Sequence, residues 1–165
     1  MNIPNIITTV RFLFIPLLIY YMGKGDIAAS ITVFLLAGIT DFLDGYIARR
    51  YGLTTRRGAL MDPLADKLIQ FSALVMLTAR GILPVYITGI VAVKDILLGI
   101  GATVLLKRNI IVTAGWHGKL ATIAFYPAIV WAILQLPYAN TLVLTAVCLA
   151  VFALIKYYIN YLRLS

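Results

Sequence analysis

Glutamate is absent from this sequence, and histidine and cysteine occur once each, as His117 and Cys148. One cysteine excludes an intramolecular disulfide. With no cysteine cluster and no histidine pair, the sequence also lacks the ligands of a soft or borderline metal site. The six acidic residues are all aspartates, and only 12% of the 165 residues are charged. Any side-chain carboxylate that binds a metal must therefore be an aspartate.

Apolar residues dominate what is present. They make up 62% of the chain, against about 45 to 50% in a soluble domain, and the mean hydropathy is +0.99. The sequence therefore predicts a membrane protein in contact with lipid. The net charge of +8 fits loops that face anionic headgroups and phosphate-bearing substrates. We expect no nucleic-acid partner, because such interfaces are far more polar than this chain.

Six apolar stretches approach or exceed the roughly 20 residues that a helix needs to cross a bilayer. They are residues 6–22, 27–49, 60–79, 83–106, 118–136 and 140–162. Short breaks rich in glycine, proline and charge separate them, and no linker divides the chain. The sequence therefore predicts an all-α fold, an integral membrane bundle of six transmembrane helices in a single domain, residues 1–165.

Basic residues are distributed unevenly among the connections. If both termini are cytoplasmic, the second and fourth connections and their flanks are cytoplasmic too, and these contain Arg49, Arg50, Arg56, Arg57, Lys107, Arg108 and Lys119. The outer connections contain only Lys24 and Arg80. This asymmetry satisfies the positive-inside rule and predicts that both termini face the cytoplasm.

Four of the six aspartates, Asp41, Asp44, Asp62 and Asp66, lie within 26 consecutive residues. At about 100° per residue, the first pair shares a helix stripe with small residues, and so does the second pair. Two helix ends joined by a short loop can bring the pairs together. The cluster would then lie at the cytoplasmic edge of the membrane.

Four converging carboxylates repel one another unless cations lie between them. Oxygen ligands favour Mg²⁺ or Mn²⁺, and two such ions would suit the chemistry of phosphate groups. The alternative is that the aspartates only pair with nearby arginines in a solvated loop. Aspartate is a poor helix former and is costly in a membrane helix, so the array favours a site.

The same stretch resembles the signature of the CDP-alcohol phosphatidyltransferase family, DxxDGxxAR, eight residues, then GxxxDxxxD. The matching positions are Asp41, Asp44, Gly45, Ala48, Arg49, Gly58, Asp62 and Asp66. The resemblance implies six transmembrane helices, usually in a homodimer. It also implies that the four aspartates bind two divalent cations, Mg²⁺ or Mn²⁺, and that Asp66 is the general base.

By the same resemblance, the cations hold the diphosphate of a CDP-activated lipid. The residues that line the nucleotide pocket would then be Gly45, Ala48, Arg49, Thr55 and Gly58. An acceptor alcohol would attack the lipid-side phosphorus and expel CMP.

The first residues resemble bacterial members of the family that transfer a phosphatidyl group from CDP-diacylglycerol to sn-glycerol 3-phosphate. Asn5, Thr8 and Arg11 fit their PNxxTxxR pattern. This implies a protein of the bacterial cytoplasmic membrane whose active site faces the cytoplasm. A phosphorylated alcohol needs cations, and the candidates for phosphate or acceptor binding are Asn5, Arg11, Lys94, Arg108 and Lys119.

Lys94 departs from the pattern of members that use glycerol phosphate, which have an arginine and glutamate pair here. A lysine within an apolar segment needs a cavity or a partner, and Asp95 is predicted not to be that partner because adjacent residues diverge by about 100°. The lysine and aspartate pair is closer to members whose acceptor is phosphatidylglycerol. Phosphatidylglycerol and inositol phosphate therefore stay open as alternative acceptors.

A channel or transporter is the rival class. It would distribute polar residues along a path near the bilayer midplane. This chain instead gathers its acids at one predicted membrane edge, which favours an enzyme.

Overall fold

The computed structural model describes the backbone of residues 3–50, 58–107 and 116–164, and most side chains within 11–40, 64–101 and 120–159. In these ranges the chain forms six helices and no strand. The helices are α1 (Ile3–Lys24), α2 (Ile27–Arg50), α3 (Gly58–Ala79), α4 (Val85–Lys107), α5 (Trp116–Ile133) and α6 (Ala139–Leu164). The predicted all-α fold with six helices is confirmed.

Helix ends differ from the prediction where local backbone chemistry intervenes. The fourth helix begins after Pro84, whose carbonyl accepts a hydrogen bond from the Ile87 amide at 3.1 Å. The fifth ends at Ile133 rather than residue 136, because Gln135 adopts a left-handed conformation with φ of 53°. The apolar stretches on which the predicted helix ends were based do not indicate either of these backbone features.

One described helix is long and apolar enough to cross a membrane by length and composition, over Ala139–Lys156 with a mean hydropathy of 2.0. Ile27–Thr40 and Leu120–Ile133 are shorter apolar helices. Six membrane crossings and cytoplasmic termini therefore stay predictions. Large apolar side chains such as Val85 and Ile123 are 74% and 65% exposed, which fits a surface in contact with lipid.

The chain divides into two compact units, Met1–Ala79 and Arg80–Ser165, and a single domain over residues 1–165 stays a prediction. In the first unit, α1 packs against α2 and α3, and α2 packs against α3. Its fully buried apolar side chains include Leu18, Phe34, Ile69, Leu74 and Leu77.

The second unit pairs α6 with α5 and with α4. Its buried side chains include Ile87, Phe125, Ile129, Val143 and Val147. Both units are thus built from helices whose apolar residues meet along one side, while other apolar residues remain on the surface.

The junction of α1 and α2 is fixed by local hydrogen bonds. Gly25 has φ of 77°, and its amide and that of Asp26 donate to the carbonyls of Met22 and Tyr21, both at 3.1 Å. This is the Schellman arrangement, which favours glycine because it has no Cβ. The Asp26 carboxylate then accepts from the Ala29 amide at 2.9 Å, and so caps the start of α2.

Candidate functional site

The predicted metal ligands occupy two consecutive helix ends. Asp41 and Asp44 lie in the last turns of α2, together with Gly45, Ala48 and Arg49. The first turns of α3 contain Asp62 and Asp66, and Gly58 is its first residue. The predicted helical spacing of both aspartate pairs is therefore confirmed at the level of the backbone.

Only part of this site has described side chains. The side chains that lie outside the described residues are those of Asp41, Asp44, Ala48, Arg49 and Asp62, and Thr55 lies outside entirely. Their predicted roles, with those of Gly45 and Gly58, stay predictions. Asp66 is the member of the aspartate cluster whose surroundings are described.

Asp66 lies on α3 with its side chain almost fully buried, at 9% exposure. The Nε2 amide of Gln70, equally buried, lies 3.3 Å from both Oδ1 and Oδ2 of this carboxylate. Residues four apart share one face of a helix, which places the amide beside the carboxylate. Our sequence reasoning missed Gln70, and this four-residue spacing from the last aspartate was the signal that could have found it.

Four aspartates are a donor set that suits hard divalent cations, because carboxylate oxygens are the ligands that Mg²⁺ and Mn²⁺ prefer. Among the side chains that the structure describes, no group of three metal-ligating residues occurs. Three of the four expected ligands are outside that set, and the dimetal site stays a prediction based on the chemistry of the residues and on their placement at two helix ends.

Arg11 is fully buried on α1, in the same unit as Asp66. A guanidinium has five donors and stays charged, so its burial requires polar surroundings. Arg11 therefore lies on a helix, α1, that packs against the helix of Asp66, α3. Asn5 is also on α1, but its side chain lies outside the described residues.

Lys94 corrects one of our predictions. Its Nζ lies 2.6 Å from Oδ1 of Asp95, the neighbour that helix geometry was expected to exclude as a partner. The prediction was wrong because the flexible lysine stem can bend around the helix. Lys94 is 8% exposed, and its ammonium also lies 5.9 Å from the centre of the Phe125 ring, within the range of a cation–π contact.

The other cations predicted to bind the acceptor are Lys119 and Arg108. Lys119 belongs to α5, but its side chain is outside the described part of the chain, as is the whole of Arg108. Arg11 and Lys94 are therefore the two members of the predicted acceptor set with described side chains. They belong to different compact units, and each is considered by itself.

The described residues thus form a helical protein that carries two aspartate pairs at consecutive helix ends, with one of the four carboxylates, that of Asp66, buried. The chain belongs to the CDP-alcohol phosphatidyltransferase family, because the sequence model of that family matches residues 1–154. The resemblance on which the site predictions rest is thereby confirmed, and the match extends through most of both units.

Three relatives show which activities occur among similar chains. A probable phosphatidylglycerophosphate synthase of Mycobacterium tuberculosis is 35% identical over 152 residues, which cover 88% of this chain and 71% of the relative. A CDP-diacylglycerol–glycerol-3-phosphate 3-phosphatidyltransferase of Aquifex aeolicus is 34% identical, over 74% of this chain and 70% of the relative. A probable CMP-forming cardiolipin synthase of Drosophila melanogaster is 40% identical, over 61% and 32%.

Proposed function

We propose that this chain transfers a phosphatidyl group from CDP-diacylglycerol to sn-glycerol 3-phosphate, giving phosphatidylglycerophosphate and CMP. The observation that carries the proposal is the similarity to the Mycobacterium tuberculosis relative. Because that match covers 88% of this chain, it necessarily includes residues 41–66 as well as Lys94. It therefore spans both the predicted reaction site and part of the predicted acceptor site.

In this proposal the hydroxyl oxygen of the acceptor forms a bond to the lipid-side phosphorus of CDP-diacylglycerol. The bond between that phosphorus and the oxygen of CMP breaks, and CMP leaves with the bonding electrons. The hydroxyl proton passes to a carboxylate oxygen of Asp66. Burial of Asp66 supports this role, because a base in a water-poor site meets less competition from solvent.

The metal ions belong to the proposal as well. Two Mg²⁺ or Mn²⁺ ions, held by Asp41, Asp44, Asp62 and Asp66, would neutralise the diphosphate charge of the donor lipid. The small residues of the signature, Gly45, Ala48 and Gly58, would leave room for the nucleotide, with Arg49 and Thr55 beside it.

The acceptor phosphate is dianionic, and the proposal assigns its binding to Asn5, Arg11, Lys94, Arg108 and Lys119. Burial of Arg11 supports its part in this assignment, because ionic contacts strengthen where water is excluded. We further propose that the protein is a homodimer in the bacterial cytoplasmic membrane. Both termini and the active site would face the cytoplasm, where a soluble alcohol can reach a lipid donor.

Phosphatidylglycerol is the second candidate acceptor, which would make the product cardiolipin. The contact between Lys94 and Asp95 favours it, because a lysine already facing a carboxylate has less charge to offer a dianion. A phosphodiester carries only one negative charge and needs less compensation. The similarity to the Drosophila cardiolipin synthase also favours phosphatidylglycerol as the acceptor, although it covers a shorter part of the chain.

The two candidates are separated by an acceptor panel. Purified protein in mixed micelles would receive CDP-diacylglycerol, Mg²⁺ or Mn²⁺, and either sn-glycerol 3-phosphate, phosphatidylglycerol or inositol phosphate. We expect CMP release and a phosphatidylglycerophosphate product, identified by mass spectrometry, with the first acceptor. A cardiolipin product would support the second candidate instead, and no acceptor-dependent CMP release would contradict both.

A further inference from the structure

The contact between Gln70 and Asp66 points to a role for a residue that lies outside the aspartate signature. We propose that Gln70 is a positioning residue whose side-chain amide holds the Asp66 carboxylate in place for proton transfer. This inference rests on the proposed function, because that function makes Asp66 the base.

The distances between the Gln70 amide and the two Asp66 oxygens indicate that the amide restrains the whole carboxylate. Nε2 of Gln70 lies 3.3 Å from both oxygens of Asp66, so movement of the carboxylate away from the amide lengthens both contacts. Each contact lies slightly beyond the usual N–H···O range. A carboxylate has about four lone-pair sites, so the two contacts to the amide do not exhaust its capacity to accept.

A neutral amide suits this position. Lysine or arginine here would also contact the carboxylate, but their charge would repel a divalent cation bound to the same group. The amide donates hydrogen bonds without adding charge. Gln70 can thus orient Asp66 while the carboxylate keeps its attraction for metal.

The supporting helix is well packed around this pair. Ile69 and Ala73 are fully buried on α3, and α3 packs against α1 and α2. Asp66 and Gln70 are each only 9% exposed, which restricts their rotamers. Groups held on packed helices keep their geometry better than groups on loops, so the structure suits a positioning function.

The test compares Gln70→Leu with Ser72→Ala. Leucine keeps most of the volume of glutamine but removes the donor. Ser72→Ala instead removes a hydroxyl that bonds the Leu68 carbonyl at 2.7 Å on the same helix. At saturating Mg²⁺ or Mn²⁺ we expect Gln70→Leu to lower kcat about 10- to 100-fold with little change in the KM for CDP-diacylglycerol, and Ser72→Ala to leave both unchanged.

A second readout does not depend on turnover. Binding of Mn²⁺, followed by electron paramagnetic resonance, would be measured for the wild type, Gln70→Leu, Asp66→Asn and the double variant. If Gln70 acts through Asp66, Gln70→Leu weakens Mn²⁺ binding when Asp66 is present. The same substitution has no effect on Mn²⁺ binding when it is added to Asp66→Asn. Equal weakening in both backgrounds would overturn the proposal, as would a wild-type kcat in Gln70→Leu.

If Gln70→Leu does not fold, Gln70→Asn replaces it, because the shorter side chain withdraws the same amide from the carboxylate. The kcat and Mn²⁺-binding outcomes given for Gln70→Leu then test the proposal in the same way. A wild type that releases no CMP with any acceptor contradicts the proposed function, while the Mn²⁺ measurements still test Gln70. An active wild type whose kcat does not depend on Gln70 contradicts only the positioning role.

Discussion

The Lys94 ammonium lies 2.6 Å from the Asp95 carboxylate, although the two residues are neighbours on one helix. Both side chains are mostly buried, at 10% and 20% exposure. We expect Asp95→Asn to lower the free energy of unfolding by about 1 to 3 kcal/mol, because it removes a charged partner of a buried cation. Equilibrium unfolding in mixed micelles measures this change.

The matched control for that pair is the double variant Lys94→Met with Asp95→Leu. Replacing both partners of a buried ion pair by apolar residues is often neutral or stabilising. We therefore expect the double variant to be more stable than Asp95→Asn alone. A double variant that is less stable than Asp95→Asn would contradict a pairwise interaction.

Arg11 provides a test of acceptor binding. Because the guanidinium is fully buried and lysine cannot reproduce its planar donor fork, we expect Arg11→Lys to raise the KM for sn-glycerol 3-phosphate about tenfold or more. Loss of one charge-assisted contact has this magnitude. Steady-state kinetics with the acceptor varied would show it.

Lys24→Met is the control for Arg11, because Lys24 is an exposed cation at the far end of the same helix. Its ammonium lies 4.5 Å from the centre of the Tyr20 ring. We expect no change in the acceptor KM. Equal effects of the two substitutions would indicate general electrostatics rather than a binding contact.

Asp66→Asn is expected to abolish turnover with every acceptor, because the amide cannot accept the hydroxyl proton and binds metal poorly. Loss of catalysis by several orders of magnitude is expected when a general base is removed from its site. CMP release measures the reaction. Activity that survives in Asp66→Asn would show that another group is the base.

Adjacent leucines on α1 test which helix face is packed. Leu18 is fully buried and Leu17 is 40% exposed. We expect Leu18→Ala to cost about 2 kcal/mol or more, because it leaves a cavity, and Leu17→Ala to cost less than about 0.5 kcal/mol. Unfolding of the two variants in the same micelles is the comparison, and equal losses would contradict the described packing of α1.

The turn after α5 offers a gain in stability. Gln135 has φ of 53°, and its amide and that of Leu136 donate to the carbonyls of Ala132 and Trp131, as in the glycine turn after α1. A left-handed conformation costs a residue with a Cβ about 1 to 2 kcal/mol. We expect Gln135→Gly to stabilise the fold by about 1 kcal/mol.

Gly25→Ala is the reverse substitution at the matching position, and it should destabilise by a similar amount. Gly89→Ala, in the interior of α4, should instead stabilise, because an added Cβ meets nothing within 4 Å there and alanine favours helix. Thermal unfolding of the three variants would separate backbone strain from helix propensity.

The sequence predicted most of the fold because helix length and hydrophobicity are local properties. Residues 27–49 were predicted as a helix, and α2 is Ile27–Arg50. The placement of the aspartates on two helix ends was also predicted, because the family signature fixes the type and spacing of these residues; their roles in the reaction stay predictions. The contact between Lys94 and Asp95 was not predicted, because the side-chain torsions decide whether the lysine ammonium can contact the neighbouring carboxylate.

The sequence by itself determined the six helices, the concentration of aspartates at two helix ends and membership of the family. Only the tertiary structure decided that Leu18 is buried while Leu17 is exposed, and that Arg11 is fully buried. Only the structure also placed the Gln70 amide against Asp66. The reason is physical: backbone preference follows from local residues, but burial and side-chain contact depend on which helices pack together and on the rotamers that this packing allows.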